Sequence, residues 1–276
     1  MIGIVGGGRM GRALAAVLAE AGERVELWSR REAGLKGRAV TGSPSGVVSG
    51  AQLLLLAVPD DAIAEVAAKL AQQEEIDASQ VVLHLSGLHD ARTLRALIPS
   101  GAALGSFHPL QSIADPADAV GRWRGCYVAL EGDRRAVAAG ERLAGLLGLV
   151  PFEIAAEAKP AYHAGAVLAS NYVVALVGMA ARLAAEAGVP PSVAGVMYRR
   201  LVLGVAENLQ RWTPPEALTG PIRRGDTETV RAHLEALAPE TRLLYAQLGL
   251  EALRLSRAAG LEAGLAARME QVLRDY

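Results

Sequence analysis

Lys159 and His163 stand four residues apart in a stretch whose apolar pattern predicts one long helix over 157–187, so their side chains share a face. Ser170 returns near that face and Asn171 lies beside it. Lys, His and Asn on an otherwise apolar helix are poorly explained by core packing, because each buried polar group needs a partner. Two arrangements satisfy them: hydrogen bonds between helices, or a cleft in which Lys159 binds an oxyanion, His163 moves a proton and Asn171 orients a ligand. His108, in Ser106-Phe-His-Pro-Leu-Gln111, follows a predicted strand beside a rigid proline. It suits either a substrate-facing role or a polar turn. His84 sits inside the alternating Val82-Leu-His-Leu-Ser86 and reads as a core or supporting histidine, whereas Ser86 and Gly87 at the strand end are better placed to approach a ligand. His89 and His233 read as ordinary surface or helix positions. In Thr219-Gly-Pro-Ile-Arg-Arg-Gly-Asp226, Arg223 or Arg224 can neutralise an anion and Asp226 is expected to cap the next helix.

The elements that must position these residues alternate. A short apolar strand, Ile2–Val5, is followed by a glycine turn and a helical pattern over 9–21. Further strands are predicted over 24–28, within 47–58, and over 80–85, 102–107, 126–130 and 149–154, with a helix over 133–147. Asp60 and Asp61 after Pro59 read as a helix start, Asp60 as its cap. From 157 onward the pattern turns helical: 157–187, 191–210, 227–237, 239–259 and 262–273. The fold class is therefore α/β, a Rossmann-type doubly wound, mostly parallel sheet followed by an all-α domain, with residues 1–154 and 155–276 as the two domains.

The turn after the first strand reads Gly6-Gly7-Gly8-Arg9-Met10-Gly11 and contains Gly-x-Gly-x-x-Gly. Its place between a strand and a helix makes it a dinucleotide fingerprint. Gly6 permits the tight turn, Gly8 lets a pyrophosphate approach the backbone, and Gly11 allows close packing of helix on sheet. Arg9 and Met10 open the helix whose amides meet the phosphates. The end of the second strand carries Ser29, Arg30 and Arg31 in place of the acidic residue that usually holds a ribose. This favours NADP(H) over NAD(H), with the arginines on the 2′-phosphate. Glu32 is the residue that would serve ribose instead. Val58 and Pro59, ending the most apolar strand, are expected to border the cofactor, and Ser86 to approach its nicotinamide.

Lys and Arg number 28 against 29 Asp and Glu, a formal net charge of -1, which does not suit a nucleic-acid partner. Cys126 is the single cysteine and reads as an inert thiol of a cytoplasmic protein. Residues 160–181 lack any charged side chain and are long enough to span a bilayer. His163, Ser170, Asn171 and two tyrosines argue instead for a central helix buried at a domain or subunit interface, with no membrane. No metal-ligand spacing and no Gly-x-Ser-x-Gly elbow occur in the sequence.

The glycine fingerprint, the Ser106–Gln111 segment, Lys159 with His163 and Asn171, and the Thr219–Asp226 segment together resemble a family of Rossmann-like oxidoreductases whose helical C-terminal half is a domain of unknown function. The wider layout is similar to the 6-phosphogluconate dehydrogenase-like superfamily, including beta-hydroxyacid dehydrogenases, ketopantoate reductase and pyrroline-5-carboxylate reductase. His108-Pro109 also resembles a segment of prephenate dehydrogenases. The resemblance implies a nicotinamide cofactor, a catalytic cleft between domains, and a homodimer through the C-terminal helices. Beta-hydroxyacid dehydrogenases carry Lys and Asn four apart on this helix. Here His163 follows Lys159 at that spacing, so their substrate chemistry does not transfer. The expected function is an NADP(H)-dependent reductase or dehydrogenase acting on a small polar metabolite, with carbonyl, imine and hydroxyacid substrates open. The competing reading is a noncatalytic NADP(H)-binding or redox-sensing module.

Overall fold

The computed structural model describes residues 1–29, 39–40, 45–118 and 121–276, and the chain divides into two compact units, Met1–Val174 and Ala175–Tyr276. In chain order the first contains β1 (Ile2–Val5), α1 (Arg9–Glu20), β2 (Val25–Trp28), β3 (Ala39–Val40), α2 (Ser45–Ser49), β4 (Leu53–Leu56), α3 (Ile63–Gln72), β5 (Val81–His84), β6 (Ala103–Pro109), β7 (Tyr127–Gly132), α4 (Arg134–Leu147), β8 (Val150–Glu153), α5 (Lys159–Ala169) and the start of α6 (Asn171–Glu186). The strands form one sheet in the order β3-β2-β1-β4-β5-β6-β7-β8. All neighbours are parallel except β6 and β7, which run antiparallel with Ser106 opposite Glu131 and His108 opposite Ala129.

Helices cover both faces, which is why the central strands read as unbroken apolar runs such as Leu53–Leu56. On one face Leu14 and Leu18 of α1 and Leu143 of α4 pack with Leu27, Leu83, Phe107 and Leu130. On the other, Ile63, Ala67 and Leu70 of α3, together with Leu94 and Leu97 of the 3-10 segment Ala91–Ser100, cover Leu54, Leu56 and Val82. Along β6 the period of two puts Ser106 and His108 on the face opposite Phe107.

The second unit holds α7 (Pro191–Met197), α8 (Arg199–Leu209), α9 (Pro214–Ala217), α10 (Pro221–Arg224), α11 (Thr227–Ala236), α12 (Pro239–Ala258) and α13 (Ala263–Arg274). Its core gathers Val230 and Leu234 of α11, Ala246 and Leu253 of α12, and Ala266, Met269 and Leu273 of α13. Asp226 caps α11 as expected, accepting from Thr229 N at 3.1 Å. Arg223 donates to Ala259 O at 3.0 Å and ties α10 to the end of α12.

Two sequence expectations are corrected. The helix expected over 157–187 breaks at Ser170 (φ −127, ψ −77), whose hydroxyl donates back to Ala166 O at 2.6 Å and competes with the main-chain ladder. The helix expected over 191–210 likewise divides, at Tyr198. The run Ala156–Glu186 is long and apolar enough to cross a bilayer, with mean hydropathy 1.7. Residues 160–181 within it are expected to be buried at a domain or subunit interface. In the single chain its apolar side chains are largely open to solvent: Leu168 is 60% exposed and Val174 74%.

Candidate active site

The glycine turn has the geometry its sequence requires. Gly6 has φ +125, and a Cβ there would lie 2.3 Å from Ala57 O. A Cβ on the buried Gly11 would fall 2.0 Å from Gly6 O, so α1 rests directly on the turn. Gly8, the N-cap of α1, faces open space: nothing lies within 4 Å of the position its Cβ would take. That opening, at the head of a 12-residue helix whose N-cap supplies no side-chain acceptor to the first amides, fits a pyrophosphate. Arg9 is exposed and Met10 packs against the core. Ser29 follows β2; Arg30, Arg31 and Glu32 lie outside the described residues. Val58 and Pro59 line a cavity of about 310 Å³ together with Val5, Trp28 and Val66.

The predicted polar residues gather at the other end of the sheet's edge, where β5 and β6 meet α5. His108, His163 and Asn171 line one cavity of about 460 Å³, with Gln111, Ser112 and Ser170. Ser170 Oγ lies 2.9 Å from Asn171 Oδ1, which draws the amide to the break between α5 and α6. The two imidazoles meet edge to face with centroids 5.7 Å apart. Both rest on Gly87: a Cβ there would come 2.6 Å from His163 Cδ2 and 2.7 Å from His108 Cε1.

Lys159 does not join that lining. It is fully buried, and its ammonium donates to Ser86 O at 3.2 Å and Ser106 Oγ at 2.9 Å. Ser106 in turn donates to Glu131 Oε2 at 3.1 Å, and the same oxygen accepts from Ala91 N at 3.0 Å. Burial lowers the Lys159 amine and raises the Glu131 carboxyl from their ordinary values. Lys159 and His163 thus share a helix but serve adjoining groups, one holding the turn before Gly87 and the other lying against it.

Asp60 corrects the helix-cap expectation. No cap bond forms; its Oδ2 accepts from Ser86 Oγ at 2.8 Å, and Ser86 Oγ also accepts from Leu88 N and His89 N. Ser86 is therefore the knot of the turn after β5. His84 is the core histidine expected: its Nδ1 accepts from Ser86 N at 3.2 Å, so its Nε2 carries the proton and donates to Asp90 O at 3.1 Å.

Sequence reasoning missed Glu131, Tyr162 and the joining role of Ser106. Glu131 had a signal, an acidic residue ending the apolar Tyr-Val-Ala-Leu run of β7. Tyr162 stands between Lys159 and His163, and its OH lies 2.8 Å from His108 Nδ1. Cys126 is partly buried, its thiol raised by burial, and donates to Arg122 O at 3.3 Å.

Burial pushes both His84 and His108 down to about 4, with the His163 and Lys159 charges adding to the effect at His108. Their folded values lie below the unfolded value of about 6.5, so the unfolded chain binds more protons between pH 6.5 and 4. The stability they contribute is full above that window and is lost as pH falls through it, on the order of 2 kcal/mol for His84 by pH 5. Imidazole NMR titration should show His84 and His108 neutral at pH 5; normal titration of both near 6.5 would refute this.

The first unit is a Rossmann fold, and its site combines a dinucleotide turn with a polar cavity holding two imidazoles beside a buried amine. Residues 1–109 match the family model described as a Rossmann-like domain, and residues 126–252 match the domain of unknown function DUF2520. The crystal structure of a Thermotoga maritima protein is similar at TM-score 0.70 and 26% identity, covering 94% of this chain and 99% of that one. A Bacteroides fragilis protein, provisionally named an NADP oxidoreductase, gives TM-score 0.70 and 22% identity over 94% and 96% of the two chains. Pyrroline carboxylate reductase of Plasmodium falciparum, solved with NADP bound, gives 0.63 and 12% over 98% and 97%. No curated protein matches the chain. The chain carries a Rossmann-like domain followed by a DUF2520 region, and it shares its fold with these solved structures.

Proposed function

We propose that the protein is an NADP(H)-dependent oxidoreductase acting on a small polar metabolite. The observation that carries this reading is the convergence of His108, His163 and Asn171 on one cavity beside the buried Lys159, in a chain that also keeps Gly8 open for a phosphate. Gly6, Gly8, Arg9, Met10 and Gly11 hold the pyrophosphate. The cavity bounded by Val58, Pro59 and Trp28 takes the adenosine side, and Ser29, Arg30 and Arg31 take the 2′-phosphate. Bound nicotinamide supplies the hydride. His108 and His163 hold the reacting oxygen or nitrogen and manage its proton, Asn171 orients the ligand, and Lys159 supplies positive potential through the Ser86–Gly87 turn.

Fluorescence titration tests this directly. NADPH is expected to saturate the protein at least about tenfold more tightly than NADH, the worth of one charge-assisted contact. Equal affinities would remove the phosphate argument. Failure of both to bind folded protein would overturn the reading, and binding without turnover across a metabolite screen would leave the redox-sensing module.

We also propose a homodimer through the helical half. Val174 of α6 and Leu201, Leu203, Val205 and Leu209 of α8 are large apolar side chains at least half exposed in the single chain, and a second copy would cover them. Sedimentation should give twice the chain mass of 28.7 kDa, and a monomer at tens of micromolar would refute the dimer.

A further inference from the structure

His108 Nδ1 and the Tyr162 hydroxyl are 2.8 Å apart, and their rings meet edge to face at 5.5 Å. Of the two ways to place the proton, one dominates on chemical grounds. A phenol is a far stronger acid than a neutral imidazole N–H, and an imidazole lone pair is a far stronger base than a phenol oxygen. Tyr162 therefore donates and Nδ1 accepts, which puts the imidazole proton on Nε2. Burial raises the Tyr162 hydroxyl to about 12, so it keeps its proton to donate. Tyr162 is itself held edge to face by Phe152 of β8, with centroids 5.9 Å apart.

Nε2 lies on the Gly87 side of the ring, 2.8 Å from where a Gly87 Cβ would stand. Among the described residues it has no protein partner, while His108 and His163 line the cavity together. The groups bearing on this ring are His163 and Lys159 of α5, Asp60 after β4 and His84 of β5. Three of the four are bases that disfavour a second proton on His108 when they are charged.

We propose that Tyr162 is a positioning residue that fixes His108 as a neutral imidazole presenting Nε2–H to the substrate. The site then selects substrates whose reacting carbon is bonded to an atom with a free lone pair, a carbonyl oxygen or a neutral imine nitrogen. A fully substituted iminium, which has no lone pair to accept from Nε2–H, is excluded. This rests on the oxidoreductase reading for its substrates, but the state of the imidazole stands apart from it.

The test has two arms on the full chain. Nitrogen-15 NMR reads the tautomer of His108 without cofactor or substrate. In the wild-type protein Nδ1 is expected to be the bare nitrogen and Nε2 the protonated one. In Tyr162→Phe, which keeps the ring contacts with His108 and Phe152, a mixture of tautomers and a rise in the His108 titration midpoint are expected. Nδ1–H in the wild type, or an unchanged His108 in the variant, overturns the proposal. In the second arm, with NADPH, Tyr162→Phe should lower kcat on a ketone or imine about tenfold or more while NADPH affinity stays within twofold. Comparable turnover of an N-methyl cyclic iminium by the wild type overturns the substrate assignment. A wild type that binds no NADPH sinks the oxidoreductase reading and the substrate class with it, and the NMR arm still decides the role of Tyr162.

Discussion

Gly8→Ala is expected to fold like the wild type yet bind NADPH roughly 10–100-fold more weakly, whereas Gly11→Ala is expected to destabilise the fold itself. The two glycines are three residues apart in one motif, and the structure separates their duties. A methyl group at Gly8 meets nothing within 4 Å, so the protein alone does not resist it. It would occupy the space through which a pyrophosphate reaches the first amides of α1. At Gly11 the same methyl group would stand 2.0 Å from Gly6 O and 3.1 Å from Ala57 Cβ. The turn cannot yield, because Gly6 N donates to Trp28 O and Ala57 N to Val5 O, each anchored in the sheet. Overpacking of this severity costs about 3 kcal/mol, and for a chain of this size lowers Tm by roughly 10 °C. Thermal unfolding and NADPH fluorescence on both variants give the comparison. Undiminished NADPH binding by Gly8→Ala would remove the phosphate from this turn.

Lys159→Met is expected to lower kcat about 100-fold while costing less than about 1 kcal/mol of stability. The two effects separate because the amine is buried at an energetic cost, as its lowered pKa records. An apolar side chain of similar length fills the same space without desolvation, and Ser106 keeps Glu131 as its acceptor. What is lost is the positive potential behind Gly87 and the bond that holds Ser86 O. Steady-state kinetics beside a denaturant curve would show whether activity and stability part. A variant that unfolds with its activity loss would make Lys159 a structural residue.

The architecture was largely legible because its signals are local. Apolar strands ending in turn residues, and a glycine fingerprint between a strand and a helix, announce a Rossmann unit within a few residues of each other. The antiparallel β7 was not legible, since strand direction is settled by pairing across the sheet and leaves no mark within Tyr127–Gly132. Of the site, the convergence of His108 and His163 came from residues 55 positions apart, and sequence supplied the residues without their meeting. The sequence leaves Lys159 open between a ligand-facing role and a buried structural bond, and in the structure its ammonium reaches Ser86 and Ser106, because the first turn of α5 packs against the ends of β5 and β6. Asp60 was read as a cap from its neighbours after Pro59, but a hydroxyl 26 residues away claimed it. The break at Ser170 was hidden because a serine in a helix keeps the apolar rhythm around it intact.

Ser106 and Glu131 face each other across the β6–β7 ladder, and that pairing has a consequence for how the chain tolerates change. The ladder, and not the connection that follows β6, sets which residues are opposite. One residue inserted within β7 would turn the Glu131 carboxylate to the other side of the sheet, away from Ser106. In any redesign of the approach to His108, β7 is therefore the segment to leave untouched.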